Sequence, residues 1–264
     1  MIAQRPPRSI GLSEPGKECA ILPTVLRTNA TAVYRFLGLM HARLEEGETL
    51  CGKRILDCGA GGPVPPLAIF AEQGMEAVGI DISEPQLERA RAFVERTGLR
   101  IELRQADMRC LPFADASFDY VYEHYSMCHL NRADTARAVA EMQRVLRPEG
   151  LAFLGVVSTE SWPLSAYGEE RSPGEYWMVE NGEQILHCLL SDEESNDLAT
   201  GWETVSKEKA VLHVGGEDLS MEDWAALRTE APAPHSAEAW AAEYERRTDF
   251  FRYVHTYYVL EKPS

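Results

Sequence analysis

The sequence predicts an α/β protein built on one largely parallel sheet with helices on both of its faces, and three observations carry that expectation. Short apolar runs alternate with amphipathic ones over residues 54–157, as a succession of βαβ units requires. Glycine- and proline-rich turns punctuate the alternation, G-A-G-G-P at residues 59–63 being the densest. A chain of 264 residues can bury one large core, or one core with an elaborated cap, without disulfides or metals to hold it together.

Taken in order, polar and proline-rich residues up to Pro23 predict a loose N-terminal arm. Val33, Leu37, Met40 and Leu44 recur at helical spacing, so residues 24–46 are expected to form a helix leading into the core. Residues 54–58 read as the first strand, 63–73 as a helix opened by Pro63, and 76–81 as the second strand. Residues 84–97 read as a helix buried through Leu87, Ala90 and Val94, with a capping box from Ser83 and Gln86 and a stop at Gly98. Residues 100–105 and 118–123 are expected as the third and fourth strands, 132–147 as a helix stopped by Pro148, and 151–157 as the fifth strand.

Beyond Val157 the pattern changes. Residues 176–180 and 183–190 flank Asn181-Gly182, a strong hairpin signal. Residues 204–214 and 250–260 are expected as later strands, and residues 215–248 between them as an insertion of two helices separated by A-P-A-P. The division that follows is an arm and covering helix over residues 1–50 and a catalytic domain over 51–264, with a substrate lid near 158–190.

Composition excludes several function classes. The net charge of −16 opposes binding to a polyphosphate, so no nucleic-acid partner is expected. The arginines at 89, 91, 96, 100 and 104 lie among Glu88, Glu95 and Glu102, the pattern of a solvated surface. The six cysteines are scattered without a C-x-x-C pair, which suggests reduced thiols and no metal site. No apolar stretch nears the roughly 18 residues of a membrane span, and the first ten residues lack the apolar core of a secretion signal, so a cytoplasmic protein without a membrane partner is expected.

The chemistry concentrates in I-L-D-C-G-A-G-G-P at residues 55–63 and V-G-I-D-I-S at residues 78–83. Gly59 and Gly61 let the chain turn sharply and let a ligand approach the backbone without meeting a Cβ. From Gly62 the chain runs 81 − 62 = 19 residues to Asp81, the spacing of an acid that grips ribose hydroxyls. A dinucleotide fingerprint needs a third glycine at position 64, where Val64 stands, so NAD is demoted.

Asp57, Gly59 and Gly61 instead resemble the D-x-G-x-G pattern of the class I S-adenosylmethionine-dependent methyltransferases, with Pro63 replacing that family's usual third glycine. Q-A-D-M-R-C-L-P-F at 105–113, S-F-D-Y-V-Y at 117–122 and R-V-L-R-P-E-G at 144–150 stand in the family's order, and the likeness is to the small-molecule branch related to ubiquinone-biosynthesis C-methyltransferases. The resemblance covers about two fifths of the chain. It implies a Rossmann-like, seven-stranded, mostly parallel sheet with an antiparallel final strand, a cap inserted after strand five and a helical insertion before the last strand.

It also implies S-adenosyl-L-methionine as cofactor and a small-molecule acceptor, methylated by in-line attack on the sulfonium methyl. Asp57, Gly59, Ala60 and Gly61 would hold the methionine side, and Asp81 the ribose hydroxyls. Ile82 would pack on adenine, Asp107 and the Met108 backbone would meet the adenine amino group, and Gln86 and Glu123 would also contact the cofactor. His124 and His129, after the fourth strand, are the candidate bases, although hydrogen bonding or packing is the alternative role for His129. Tyr34, Tyr125, Trp162 and Tyr176 are candidate substrate residues. The aromatics near Trp162, Tyr167, Tyr176 and Trp177 read equally as a lid or as a hairpin packed on the sheet. The alternatives are a non-catalytic S-adenosylmethionine-binding module and another adenosine-sulfur group transfer. The acceptor atom, O, N, S or C, and the oligomeric state stay open.

Overall fold

A computed structural model describes residues 22–162, 164–180, 183–214 and 251–264. In chain order its elements are α1 (Leu22–Ala42), β1 (Arg54–Cys58), α2 (Leu67–Glu72), β2 (Glu76–Asp81), α3 (Glu84–Thr97), β3 (Ile101–Gln105), β4 (Phe118–His124), α4 (Arg132–Val145), β5 (Leu146–Val157), β6 (Glu169–Ser172), β7 (Glu175–Glu180), β8 (Glu183–Cys188), α5 (Asp192–Asp197), β9 (Glu203–Val214) and β10 (Phe251–Glu261). Single 3₁₀ turns stand at Met127–His129 and Leu164–Tyr167.

Burial is continuous along β1 from Ile55 to Cys58, as a strand covered on both faces requires. Seven strands form one sheet in the order β3-β2-β1-β4-β5-β10-β9. The first five pair in parallel, while β10 runs antiparallel between β5 and β9. The expected sheet and its antiparallel final strand are therefore present.

One face is covered by α1, whose Val33, Phe36, Leu37 and Met40 join Phe70, Tyr122 and Phe153 in a single apolar cluster. Tyr122 stacks on Phe153 at 5.1 Å between ring centroids, and Phe36 stacks on Tyr122 at 6.2 Å. The opposite face is covered by α4 through Val139, Met142 and Val145, packed with Leu56, Val121 and Leu154. Each such side chain contributes roughly 1.5–3 kcal/mol on full burial, so both covers are integral to the core.

Two motif arginines fix the loops beneath this sheet. Arg144 donates to the carbonyls of Leu111 and Phe113 and to the carboxylates of Asp115 and Glu141. Arg54 donates to the Ser117 carbonyl and lies 4.7 Å over the Phe118 ring, while its N–H donates to Asp119. Arg144 and Arg54 thus brace the β3–β4 connection from α4 and β1.

Several boundaries differ from expectation. The helix expected at 63–73 begins at Leu67, because Pro63, Pro65 and Pro66 delay the first amide-paired turn. Ser83 is the N-cap of α3, but its side chain makes no capping bond, so the expected capping box is not formed. Gly98 does end α3 in the left-handed region, at φ 69°. β5 starts at Leu146, not 151, since Leu146 already pairs with Phe118 across a register shift. β6, with its polar sequence E-E-R-S, was not expected; it joins β7 and β8 in a separate antiparallel sheet. The Asn181-Gly182 turn, the N-terminal arm and the two-helix insertion lie outside the described residues. Among the described residues, no helix is long and apolar enough to cross a membrane.

Candidate functional site

β1 and β2 end side by side, and the turn between β1 and α2 folds back over β2. The N–H groups of Gly59 and Ala60 both donate to the Ile80 carbonyl at 2.8 Å. A Cβ at Gly79 would overlap Ala60 and meet Leu67 at 2.9 Å, so the glycine of V-G-I-D lets the turn lie against the strand.

Asp81 then joins the two sequence motifs. Its Oδ2 accepts from the Gly61 N–H at 3.0 Å and its Oδ1 from the Ser83 N–H at 2.8 Å. A Cβ at Gly61 would overlap that carboxylate and press on Gln86. The Gln86 carbonyl accepts from the Gly62 N–H at 2.9 Å, so Gln86 holds the turn through its backbone. Gly59 has φ 116°, and a Cβ there would overlap Ser126 Oγ, which comes over the turn from the end of β4. Ser126 went unnoticed in the sequence because nothing local marks it.

These contacts separate strain from crowding. Gly59→Ala meets both and is expected to cost about 2–4 kcal/mol in urea unfolding, whereas Gly62→Ala, at φ 100° with open space around it, is expected to cost about 1–2 kcal/mol. Equal costs would show that Ser126 does not restrict the turn.

The remaining cofactor candidates divide between an open rim and a buried floor. Ile82 is 63 % exposed, a large apolar surface at the crevice edge, with Gln105 Nε2 bonded to its carbonyl at 3.0 Å. Asp107 is gripped by Arg109, whose Nη2 donates to Oδ2 at 2.6 Å and whose backbone N–H donates to Oδ1 at 2.8 Å. The guanidinium hydrogen bond holds the Asp107 carboxyl below its ordinary range. Arg109 Nε also reaches both oxygens at 3.0 Å, so an amino group would have to share or displace one of these contacts. Met108 is partly buried beside the α4-side core cluster.

On the floor, Asp57 is 2 % exposed and its Oδ2 has no hydrogen-bond partner. Burial, followed by the charges of Glu123 and Asp81, pushes its pKa well up. Glu123 is completely buried; its Oε1 accepts from the Ser126 and Met127 N–H groups at 3.0 and 2.7 Å, while Oε2 has no partner. Burial raises it to about 7, against the lowering effect of those backbone bonds. Such unpaired buried acids are expensive alone and suit a ligand that brings positive charge or donors.

The histidines differ sharply. His124 is buried, with Nε2 3.1 Å from Nδ1 of His255 on β10, a partner 131 residues away that sequence reading missed. Burial, and for His124 also the neighbouring His255, drives both pKa values down, His255 to about 4. Both are neutral imidazoles at pH 7. His129 is exposed on the 3₁₀ turn; its Nδ1 contacts the Leu186 carbonyl at 2.9 Å and its ring meets His187 edge-on at 4.9 Å. It is thus tied to β8, remote from the His124 pair in bonding.

Of the substrate candidates, Tyr125 has φ 68° and stacks on His255 at 5.3 Å, a strained conformation for a non-glycine residue at the end of β4. Tyr34 is 61 % exposed on α1. Trp162 pairs its backbone with Arg252. Tyr176 is buried in a cluster with Cys128, Val157, Tyr167 and Leu189. Cys51, Cys58, Cys110 and Cys188 are free thiols, and the Cys128 thiol lies 3.6 Å from the Tyr125 carbonyl.

Comparison with known proteins places a methyltransferase domain at residues 56–154. The chain is 43 % identical over 104 residues to 24-methylenesterol C-methyltransferase 2 of Oryza sativa subsp. japonica, a match covering 38 % of this chain and 28 % of the relative. It is 38 % identical over 106 residues to 27-O-demethylrifamycin SV methyltransferase of Amycolatopsis mediterranei, covering 39 % of this chain and 38 % of the relative. The chain therefore spans well under half the length of these curated relatives. A crystal structure of a SAM-dependent methyltransferase from Methanosarcina mazei superposes with a TM-score of 0.60 at 18 % identity, over 85 % of this chain and 97 % of that one, a likeness of fold. The glycine turn, the β2 acid, most of β1 and the whole of β2, β3 and β4 of the sheet lie within the segment that matches a methyltransferase domain.

Proposed function

We propose that the protein transfers a methyl group from S-adenosyl-L-methionine to a small-molecule acceptor. The observation that carries this is the joint cradle of Gly61 and Asp81, in which the turn's N–H and the β2 carboxylate meet with no room for a side chain between them. The named relatives that methylate a sterol and a rifamycin precursor support a small acceptor.

When bound, the cofactor supplies a methyl group on a sulfonium, an electrophile that needs no further activation. Asp81 accepts from the ribose hydroxyls while its existing bonds to Gly61 and Ser83 hold it in place. Ile82 covers one adenine face, and Asp107 accepts from the exocyclic amine while Arg109 fixes its plane. Asp57 and Glu123 set a buried acidic floor beside the glycine turn, whose raised pKa values favour the protonated form until positive charge arrives. Positioning of the two reactants supplies most of the acceleration in such a transfer. A base is needed only for an acceptor that sheds a proton, and neutral His124 is the better placed of the two histidines, being at the strand end.

The test uses methyl-labelled S-adenosylmethionine with a panel of sterol, quinol, polyketide and amine acceptors. Label transfer to one of them, with S-adenosylhomocysteine released in equal amount, is expected. Tight cofactor binding without transfer to any class would favour a binding module.

A further inference from the structure

Glu123 is the one acid of the crevice whose bonds look inward. Asp81 and Asp107 are partly exposed and already bonded to N–H groups or to Arg109. Glu123 by contrast is completely buried at the carboxyl end of β4, and its Oε1 is held by the Ser126 and Met127 amides. Those amides belong to the segment that lies over Gly59, since Ser126 Oγ occupies the space a Gly59 side chain would take. Oε2 is left without a partner, next to a second unpaired acid, Asp57 Oδ2, whose titration senses the Glu123 charge.

This inference rests on the methyl-donor reading. We propose that Glu123 reads the charge on the donor's sulfur, so that the protein prefers the sulfonium donor over its thioether product only when Glu123 is ionised. The two ligands differ by one methyl and one positive charge. A buried negative group acts on that difference through a poorly screened interior, whereas adenine, ribose and the amino-acid end are common to both. Binding of the sulfonium releases the Glu123 proton to solvent; the thioether has no such leverage. Discrimination then tightens above neutral pH and relaxes below it, which limits product retention where the carboxyl is charged.

The groups facing Glu123 frame the titration. Asp57 and Cys58 stand on β1, Tyr122 and His124 on β4 itself, and the Gly155 amide on β5. His255 lies one step further, on β10 against His124, and Asp81 couples to Asp57 from β2. Among these the carboxyl brought to about 7 is Glu123, while the His255 imidazole falls near 4 and Asp57 is pushed well up.

The experiment is calorimetric titration of the full chain with S-adenosylmethionine and with S-adenosylhomocysteine from pH 5.5 to 8.5, in wild type and in Glu123→Gln. The ratio of product Kd to donor Kd is expected to rise about tenfold across pH 7 in wild type, a one-unit change in the carboxyl pKa, and to stay flat in Glu123→Gln. Repeating the wild-type titration in buffers of different ionisation heat should show proton release with the donor alone, which keeps the test independent of how the variant folds. A flat wild-type ratio, equal proton release with both ligands, or an unchanged rise in Glu123→Gln, which would move the effect to Asp57, would each overturn the proposal. Failure of both ligands to bind at any pH would remove the donor reading itself, and this inference with it.

Discussion

Asp81→Ala is expected to weaken S-adenosylmethionine binding by about 10²–10⁴-fold while the protein still unfolds cooperatively. Two hydrogen bonds from ribose hydroxyls to an ionised acceptor contribute roughly 1.5–3 kcal/mol each, and a factor of ten corresponds to about 1.4 kcal/mol. The substitution also frees the Gly61 and Ser83 N–H groups, which the carboxylate holds at 3.0 and 2.8 Å. Both are at the rim, where water can replace the lost acceptor, so the cost to the fold is small. The core beneath, from Leu56 to Ile80, does not involve this side chain. Asp81→Asn, which keeps one carbonyl oxygen, should fall between wild type and alanine. Calorimetry with unchanged affinity for Asp81→Ala would remove the ribose role and, with it, the main support for the donor site.

What made that site legible was locality. The turn, the acid at the end of β2 and the helix between them are encoded within about thirty residues, and the glycines required by positive φ at Gly59 and by the close approach of Asp81 at Gly61 have a direct sequence signature. Even there, density of prolines misled: Pro63 reads as a helix opener, yet Pro65 and Pro66 follow and the helix waits for Leu67. Ser83 reads as a cap, but its own N–H is drawn to Asp81, and its side chain takes no part. Features created by long-range pairing left no local trace. His124 meets His255 only because β10 inserts next to β5, and Ser126 reaches Gly59 only because β4 lies beside β1. The strand β6 escaped notice because an edge segment of E-E-R-S has no apolar alternation to read.

The ligand-free protein should carry the cost of this arrangement, and Glu123→Gln is expected to stabilise it by up to about 3 kcal/mol at pH 8 and by less than about 1 kcal/mol at pH 5. Glu123 has its pKa raised from 4.5 to about 7 in the fold. Between those values the native state binds a proton that the unfolded chain does not, so folding is favoured as pH falls and disfavoured as it rises through 7. Above pH 7 the native carboxylate is ionised with its backbone bonds only partly offsetting burial, a penalty of about 2.5 units at roughly 1.4 kcal/mol each, which glutamine removes. The gain is an upper bound, because the new amide must find an acceptor where Oε2 has no partner. His255 works in the opposite sense. Its pKa falls from 6.5 to about 4, so the unfolded chain binds more protons between those values and stability declines as pH drops through them. His124 and His187, also lowered, act with His255, and Asp57, raised well up, acts with Glu123, so the carboxyl's effect is read from the difference between Glu123→Gln and wild type. That difference should shrink by about 2 kcal/mol between pH 6.5 and 4.5, as the wild-type carboxyl regains its proton. Urea unfolding of both proteins at pH 8, 6.5 and 4.5 measures this directly, and parallel profiles would show that the buried carboxyl does not titrate near neutrality. A protein that keeps an acid so costly when empty has a use for it when occupied, which ties the stability profile to donor selectivity through one side chain.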